Sequence, residues 1–137
     1  MSSYVPVELR RLVRERAGGI CEYCLLREAD TFLGNEVDHI VSEKHGGPTT
    51  AENLAFACAP CNRAKGTDIA SLAPQTNQLV RLFNPRVDRW GEHFKLAGAE
   101  IVALTAIGEV TQHILELNAP QRIQERLELI YAGAIPE

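Results

Sequence analysis

Two short cysteine pairs constrain this chain more than any other feature: Cys21-Glu-Tyr-Cys24 and Cys58-Ala-Pro-Cys61, with 33 residues between them. Two residues between sulfurs let one turn of backbone offer both to a single ion. Four thiolates complete a tetrahedral zinc and leave no open position, so the spacing predicts a structural zinc site rather than a catalytic one. A redox CxxC would account for only one of the pairs. Disulfides would need an oxidising compartment, and the N-terminal stretch Met1-Ser-Ser-Tyr-Val-Pro-Val-Glu-Leu-Arg-Arg lacks the apolar core of a secretion signal, which predicts a cytoplasmic chain with reduced thiols. No apolar run approaches the ~20 residues of a membrane span, so no membrane partner is expected. The 137 residues, 45% of them apolar, suit a single domain over 1–137.

Charge is unevenly placed. Residues 1–95 hold 12 basic and 12 acidic side chains, whereas 96–137 hold 2 and 6, so the net charge of -4 belongs to the C-terminal segment. A pI near 5.6 argues against a nucleic-acid partner for the chain as a whole. The neutral part nevertheless clusters its cations at Arg10, Arg11, Arg14 and Arg16, at Arg63 and Lys65, and at Arg81, Arg86, Arg89 and Lys95. Each cluster reads equally as a solvated face or as a phosphate contact.

Periodicity supplies the elements. Pro6, the apolar spacing of Val5, Leu9, Leu12 and Val13, and the stop at Gly18-Gly19 predict a helix over 6–17. A strand is expected over 35–41, then a polar loop over 42–50 with a Gly46-Gly47-Pro48 turn. A second strand is expected over 54–58, and a short helix through Asn62, Arg63, Ala64 and Lys65 that Gly66 ends. Residues 67–91 read as mixed, with a turn at Asn84-Pro85. A hairpin is expected over 93–104, turning near Ala97-Gly98. Thr105 reads as the cap of a helix carrying Ile107, Val110, Ile114 and Leu117, and Asn118 and Pro120 open a last helix carrying Ile123, Leu127 and Ile130.

Between the cysteine pairs stand Asp38-His39-Ile40 and Glu52-Asn53-Leu54, and the second pair runs into Cys61-Asn62-Arg63-Ala64-Lys65-Gly66. In identity, order and spacing these residues resemble the HNH endonucleases of the four-cysteine, ββα-metal type. The resemblance runs from about Gly19 to Gly66, with Asn62 at the last signature position as a His-Asn-Asn variant. It implies an α+β fold: a treble-clef-like ββα core over 19–66 held by zinc on Cys21, Cys24, Cys58 and Cys61. An N-terminal helix and an extension over 67–137, a hairpin plus helices, would pack on that core.

The implied activity is hydrolysis of phosphodiester bonds in nucleic acid, DNA first, leaving 5'-phosphate and 3'-hydroxyl ends. His39 is then the general base, a role its ~6.5 unperturbed pKa suits. Asp38 and Asn62 become ligands of one catalytic ion, and their hard oxygens suit Mg2+ or Mn2+. Asn53 would tie the loop across the hairpin and help orient the base. Arg63 and Lys65, close to Asn62, are candidate phosphate contacts.

Simpler readings stand beside these: a solvated strand end for Asp38-His39, and caps for Asn53 and Asn62. The rival function is a non-catalytic, zinc-stabilised module that binds nucleic acid or protein. Because adjacent strand residues point to opposite faces, joint action of Asp38 and His39 predicts irregular pairing there, at a strand end or a bulge. Lys44 and His45 read as exposed loop residues, and His93 and His113 as structural, the latter bordering the core. The segment Phe83-Asn-Pro-Arg-Val-Asp-Arg-Trp90 is expected either to cover the core as an ordered loop or to pack on the metal site or the substrate.

Overall fold

In the computed structural model, which describes residues 4–133, helix α1 spans Val7–Arg16. Residues 1–3 and 134–137 of the domain expected over 1–137 lie outside the described residues. Pro6 stands just before the first turn, where its missing N–H costs nothing, and its carbonyl accepts from the amides of Leu9 and Arg10. Val5, Leu9, Val13 and Ala17 recur every fourth residue and form the packed line of the helix, while Leu12, expected on that line, is exposed.

That line lies on a two-stranded antiparallel hairpin of β1 (Asn35–His39) and β2 (Leu54–Cys58). Alternation gives the hairpin two faces. Val37, Leu54 and Phe56 meet α1, whereas Ala55 and Ala57 face the main core. Helix α2 (Ala59–Lys65) follows β2 directly, with Pro60 in its first turn, and closes at Gly66. Strand β1 is two residues shorter than expected because Asn53 takes over: its carbonyl accepts from Ile40 N and its Oδ1 from Val41 N.

Beyond α2 the chain forms a hairpin that its sequence concealed, β3 (Ala70–Leu72) with β4 (Leu79–Arg81). Each strand is three residues long, and Leu72 and Leu79 are exposed, so no alternation marks them. The segment 83–90 covers the core and packs on the first cysteine knuckle. Asp88 accepts both guanidinium nitrogens of Arg81 and the amide of Asn84, Arg86 pairs with Glu22, and Trp90 Nε1 donates to Tyr23 O. After a single turn of helix, α3 (Trp90–His93), the expected hairpin appears as β5 (Phe94–Ala97) and β6 (Glu100–Ala103), turning at Gly98.

Thr105 caps α4 (Ala106–Ile114) by accepting from Gly108 N. A Cβ at Gly108 would sit 2.3 Å from the carbonyl oxygen of His93, so only glycine lets this helix approach the hairpin. Asn118, expected as the cap of the last helix, instead exchanges two hydrogen bonds with the backbone of Ile101; α5 (Pro120–Tyr131) starts from Ala119. The one fully buried side chain of α5 among the described residues is Arg126, held on the carbonyls of Ala99 and Leu117, while Ile123, Leu127 and Ile130 are half-buried. His93 bonds Thr105, whereas His113 is exposed rather than bordering the core.

The result is a mixed α/β architecture. One buried cluster runs from the four cysteines and Tyr23 through Phe83, Phe94 and Ile101 to Val110, Leu115 and Leu117. No helix among the described residues is long and apolar enough to cross a membrane.

Candidate active site and metal centre

Backbone geometry delivers the first two sulfurs as a tight knuckle. Cys21 N donates to Leu26 O, Leu25 N returns to Cys21 O, and Leu25 adopts a positive φ of 70° to close the turn. Cys58 ends β2 and Cys61 lies one turn into α2, so strand and helix present the other two. All four sulfurs are buried, unbridged and within 4.8 Å of one another. Sulfurs ~2.3 Å from a tetrahedral zinc stand about 3.8 Å apart, and Cys24 and Cys58 already approach to 3.5 Å, so the four cysteines fit zinc.

The three neighbouring thiols hold Cys24 well below its ordinary pKa, toward the thiolate, whereas Cys21, chiefly through burial, and Cys61 lie well above theirs. Arg122, from α5, donates to Cys61 Sγ at 3.0 Å and reaches Cys58 Sγ at 3.6 Å, with its other nitrogen on Leu115 O. Zinc with four thiolates carries two negative charges, so a guanidinium on two of them offsets part of that charge. Nothing in the sequence pattern of α5 pointed to this role.

Pairing is regular up to His39, the last residue of β1, which corrects the expected irregularity and counts against the joint role expected of Asp38 and His39. The ladder runs unbroken from Asn35↔Cys58 to His39↔Leu54 with no bulge. The two residues still share a site, for a different reason. β1 has no second strand partner among the described residues, and a cleft of about 1110 Å³ runs along its unpaired edge, lined by every residue from Asn35 to His39. Side chains from opposite faces of a strand can both reach a cleft at its edge. Asn62, from α2, lines the same cleft, as do Glu36 and Lys44. Asp38, His39 and Asn62 therefore border one cleft, and Arg63, exposed on α2, is not among its lining.

Asp38 is only 4% exposed. Its carboxylate takes a hydrogen bond from Tyr23 Oη at 2.9 Å and faces Lys65 Nζ at 3.2 and 3.3 Å. Burial raises its pKa, against the opposing pull of the Lys65 ammonium and the Tyr23 hydroxyl. Lys65, expected at a phosphate, is 2% exposed and spends its remaining hydrogen bond on His39 O at 3.0 Å. That expectation is corrected: three residues after Asn62 on a helix one face of which is buried, the side chain turns inward to the one buried carboxylate.

His39 Nε2 lies 2.9 Å from Thr49 Oγ1. The loop carrying Thr49 is held by Asn53, whose Nδ2 donates to the carbonyls of Val41 and Pro48 while its Oδ1 accepts from Val41 N. Gly47 lies under the same tether, where a Cβ would be 1.7 Å from Val41 O. His45 and Lys44 are exposed, as expected. Asn62 donates through Nδ2 to Glu36 Oε2, which leaves its Oδ1 as the acceptor atom. Glu36, Tyr23 and Thr49 were not singled out in the sequence. The period-2 placement of Glu36 two residues before Asp38, on the same strand face, was the one signal that could have found any of them.

Residues 21–68 match the family model of the HNH endonucleases, a stretch that contains the four cysteines together with Asp38, His39, Asn53 and Asn62. No curated protein matches the chain.

Proposed function

We propose that this protein is a metal-dependent endonuclease that hydrolyses phosphodiester bonds of DNA along the free edge of β1. The observation that carries the reading is the convergence of Asp38, His39 and Asn62 on one cleft within the HNH-matching segment. The donor types suit a hard divalent ion, a carboxylate on Asp38 and a neutral amide oxygen on Asn62 with the Glu36 carboxylate beside it, and an ion would have to displace Lys65 from Asp38. Mg2+ or Mn2+ held there would neutralise charge on the phosphoryl and leaving oxygens.

The remaining work falls to the chain. Thr49 Oγ1 at Nε2 holds the His39 ring in place. The unprotonated nitrogen of the His39 imidazole takes a proton from water as its oxygen bonds to phosphorus. The bond to the 3' oxygen breaks, and that oxygen leaves as a hydroxyl after gaining a proton from solvent. Asn53 and Lys65 position the base, one through the loop and the other through the His39 carbonyl. Reduced thiols at the zinc site fit a cytoplasmic location.

Incubating supercoiled plasmid with zinc-loaded protein in Mg2+ or Mn2+ tests the reading. Nicking that EDTA and His39→Ala both abolish is the expected result. A folded wild type that cuts no plasmid, RNA or branched DNA would overturn it. One observation favours a second reading, a zinc-stabilised binding module: Lys65 already neutralises Asp38. That reading predicts binding without turnover in the same assay.

A further inference from the structure

The phosphate-binding cations of this cleft are not the ones the sequence offers. Lys65 is buried on Asp38, and Arg63 does not line the cleft. Three other cations do: Arg10 and Arg14 from α1 on one wall, and Lys44 from the loop after β1. They are not equivalent. Arg14 is engaged with Glu28 at 2.6 Å, and Glu28 in turn accepts from Asn35 N, so this arginine ties α1 to the start of β1 and its charge is balanced. Arg10 donates from Nε to Val5 O at 2.9 Å, which fixes the guanidinium while its two terminal nitrogens have no protein partner among the described residues. The Lys44 ammonium likewise has no ion pair among the described residues.

Asn35 borders the same cleft, but both polar atoms of its side-chain amide are buried away from it, with no hydrogen-bond partner among the described residues. From Asn35 to His39 the strand spans about 13 Å, enough for a short run of nucleic-acid backbone rather than a single phosphate.

We infer that a DNA backbone lies along the free edge of β1, with Arg10 and Lys44 holding phosphates on either side of the one at His39. This rests on the nuclease reading and adds where the substrate runs and what grips it. Glu36 and Glu43 border the same cleft, so the grip rests on where Arg10 and Lys44 stand rather than on a net positive surface.

The salt dependence of binding isolates this role. Each phosphate contact adds a slope of about 0.9 to log K against log salt, which corresponds to roughly eight-fold in affinity for each decade of salt. Anisotropy of a labelled DNA duplex would be followed over a salt series with zinc-loaded His39→Ala protein in Mg2+, so that binding is read without cleavage. Adding Arg10→Gln or Lys44→Gln should each flatten the slope by about 0.9 and weaken binding roughly eight-fold at 0.1 M salt. Lys95→Gln, outside the cleft, should change neither. Unchanged slopes for both Arg10→Gln and Lys44→Gln, in a protein whose wild type nicks plasmid, would overturn this inference alone. A parent that binds no duplex, with a wild type that cuts nothing, would overturn the nuclease reading with it.

Discussion

Replacing Lys65 with methionine removes a cation from a place where almost nothing else can compensate. The ammonium is 2% exposed, and the Asp38 carboxylate it faces is 4% exposed. At the 3.2 Å separation, an effective dielectric of about 20 puts their attraction at about 5 kcal/mol, and removing one partner of a buried pair costs about 3–5 kcal/mol. The hydrogen bond to the His39 carbonyl adds about 1 kcal/mol. Against a domain stability of about 5–15 kcal/mol, that is a large fraction. With a urea slope of about 1–3 kcal/mol/M, the unfolding midpoint of Lys65→Met should fall by about 2 M. Trp90 is a convenient reporter, because its indole donates to Tyr23 O in the first cysteine knuckle.

The sign of the pH dependence is also fixed. Burial already raises the Asp38 pKa, and removing the ammonium raises it further, so the native state holds the proton more tightly than the unfolded chain. The variant therefore recovers stability as pH falls through the raised value, and loses it as pH rises. Asp38→Asn combined with Lys65→Met should recover at least half of the loss at neutral pH, since no charge is then left buried. A single variant within about 0.3 M of wild type, with no pH dependence, would refute the reasoning, because the pair would then not be desolvated as described.

Stripping zinc should unfold the chain outright, since an apparent ~10–16 kcal/mol of metal binding equals or exceeds the ~5–15 kcal/mol of a domain this size. A cooperative thermal transition that survives metal removal, followed by near-ultraviolet circular dichroism, would contradict this. Asp88 provides a second pH test. The guanidinium of Arg81, chiefly by hydrogen bonding, lowers its pKa, so its contribution is complete above the ordinary carboxylate value and is lost as pH falls through the lowered one. The stability gap between wild type and Asp88→Asn should close over that acid range, and a gap that persists or widens there would contradict the assignment.

Much of the centre was legible because spacing and chemistry coincide there. Cys21, Cys24, Cys58 and Cys61 announce themselves by their intervals, and β2, the hairpin over 94–103 and the Thr105 cap follow from alternation and capping rules. What escaped depended on partners distant in the chain. Lys65 looks like a surface cation until β1 places a buried carboxylate beside it. Arg126 sits in what reads as a polar position of α5, yet it is buried because the carbonyls of Ala99 and Leu117 wait for it. The shared site of Asp38 and His39 depends on β1 being an edge strand, and edge position is a property of the assembled sheet rather than of any local pattern.

The contact between Arg122 and the cysteine sulfurs carries a consequence in time as well as in space. All four sulfurs exist once residue 61 has been made, but the guanidinium that sits on Cys61 arrives 61 residues later. At about 5–20 residues per second, a ribosome takes roughly 3–12 s to supply it. During that interval a zinc bound by the nascent chain would hold its charge without its cationic cover. A metal captured that early would pass through a window of exposed charge, which the arrival of α5 closes.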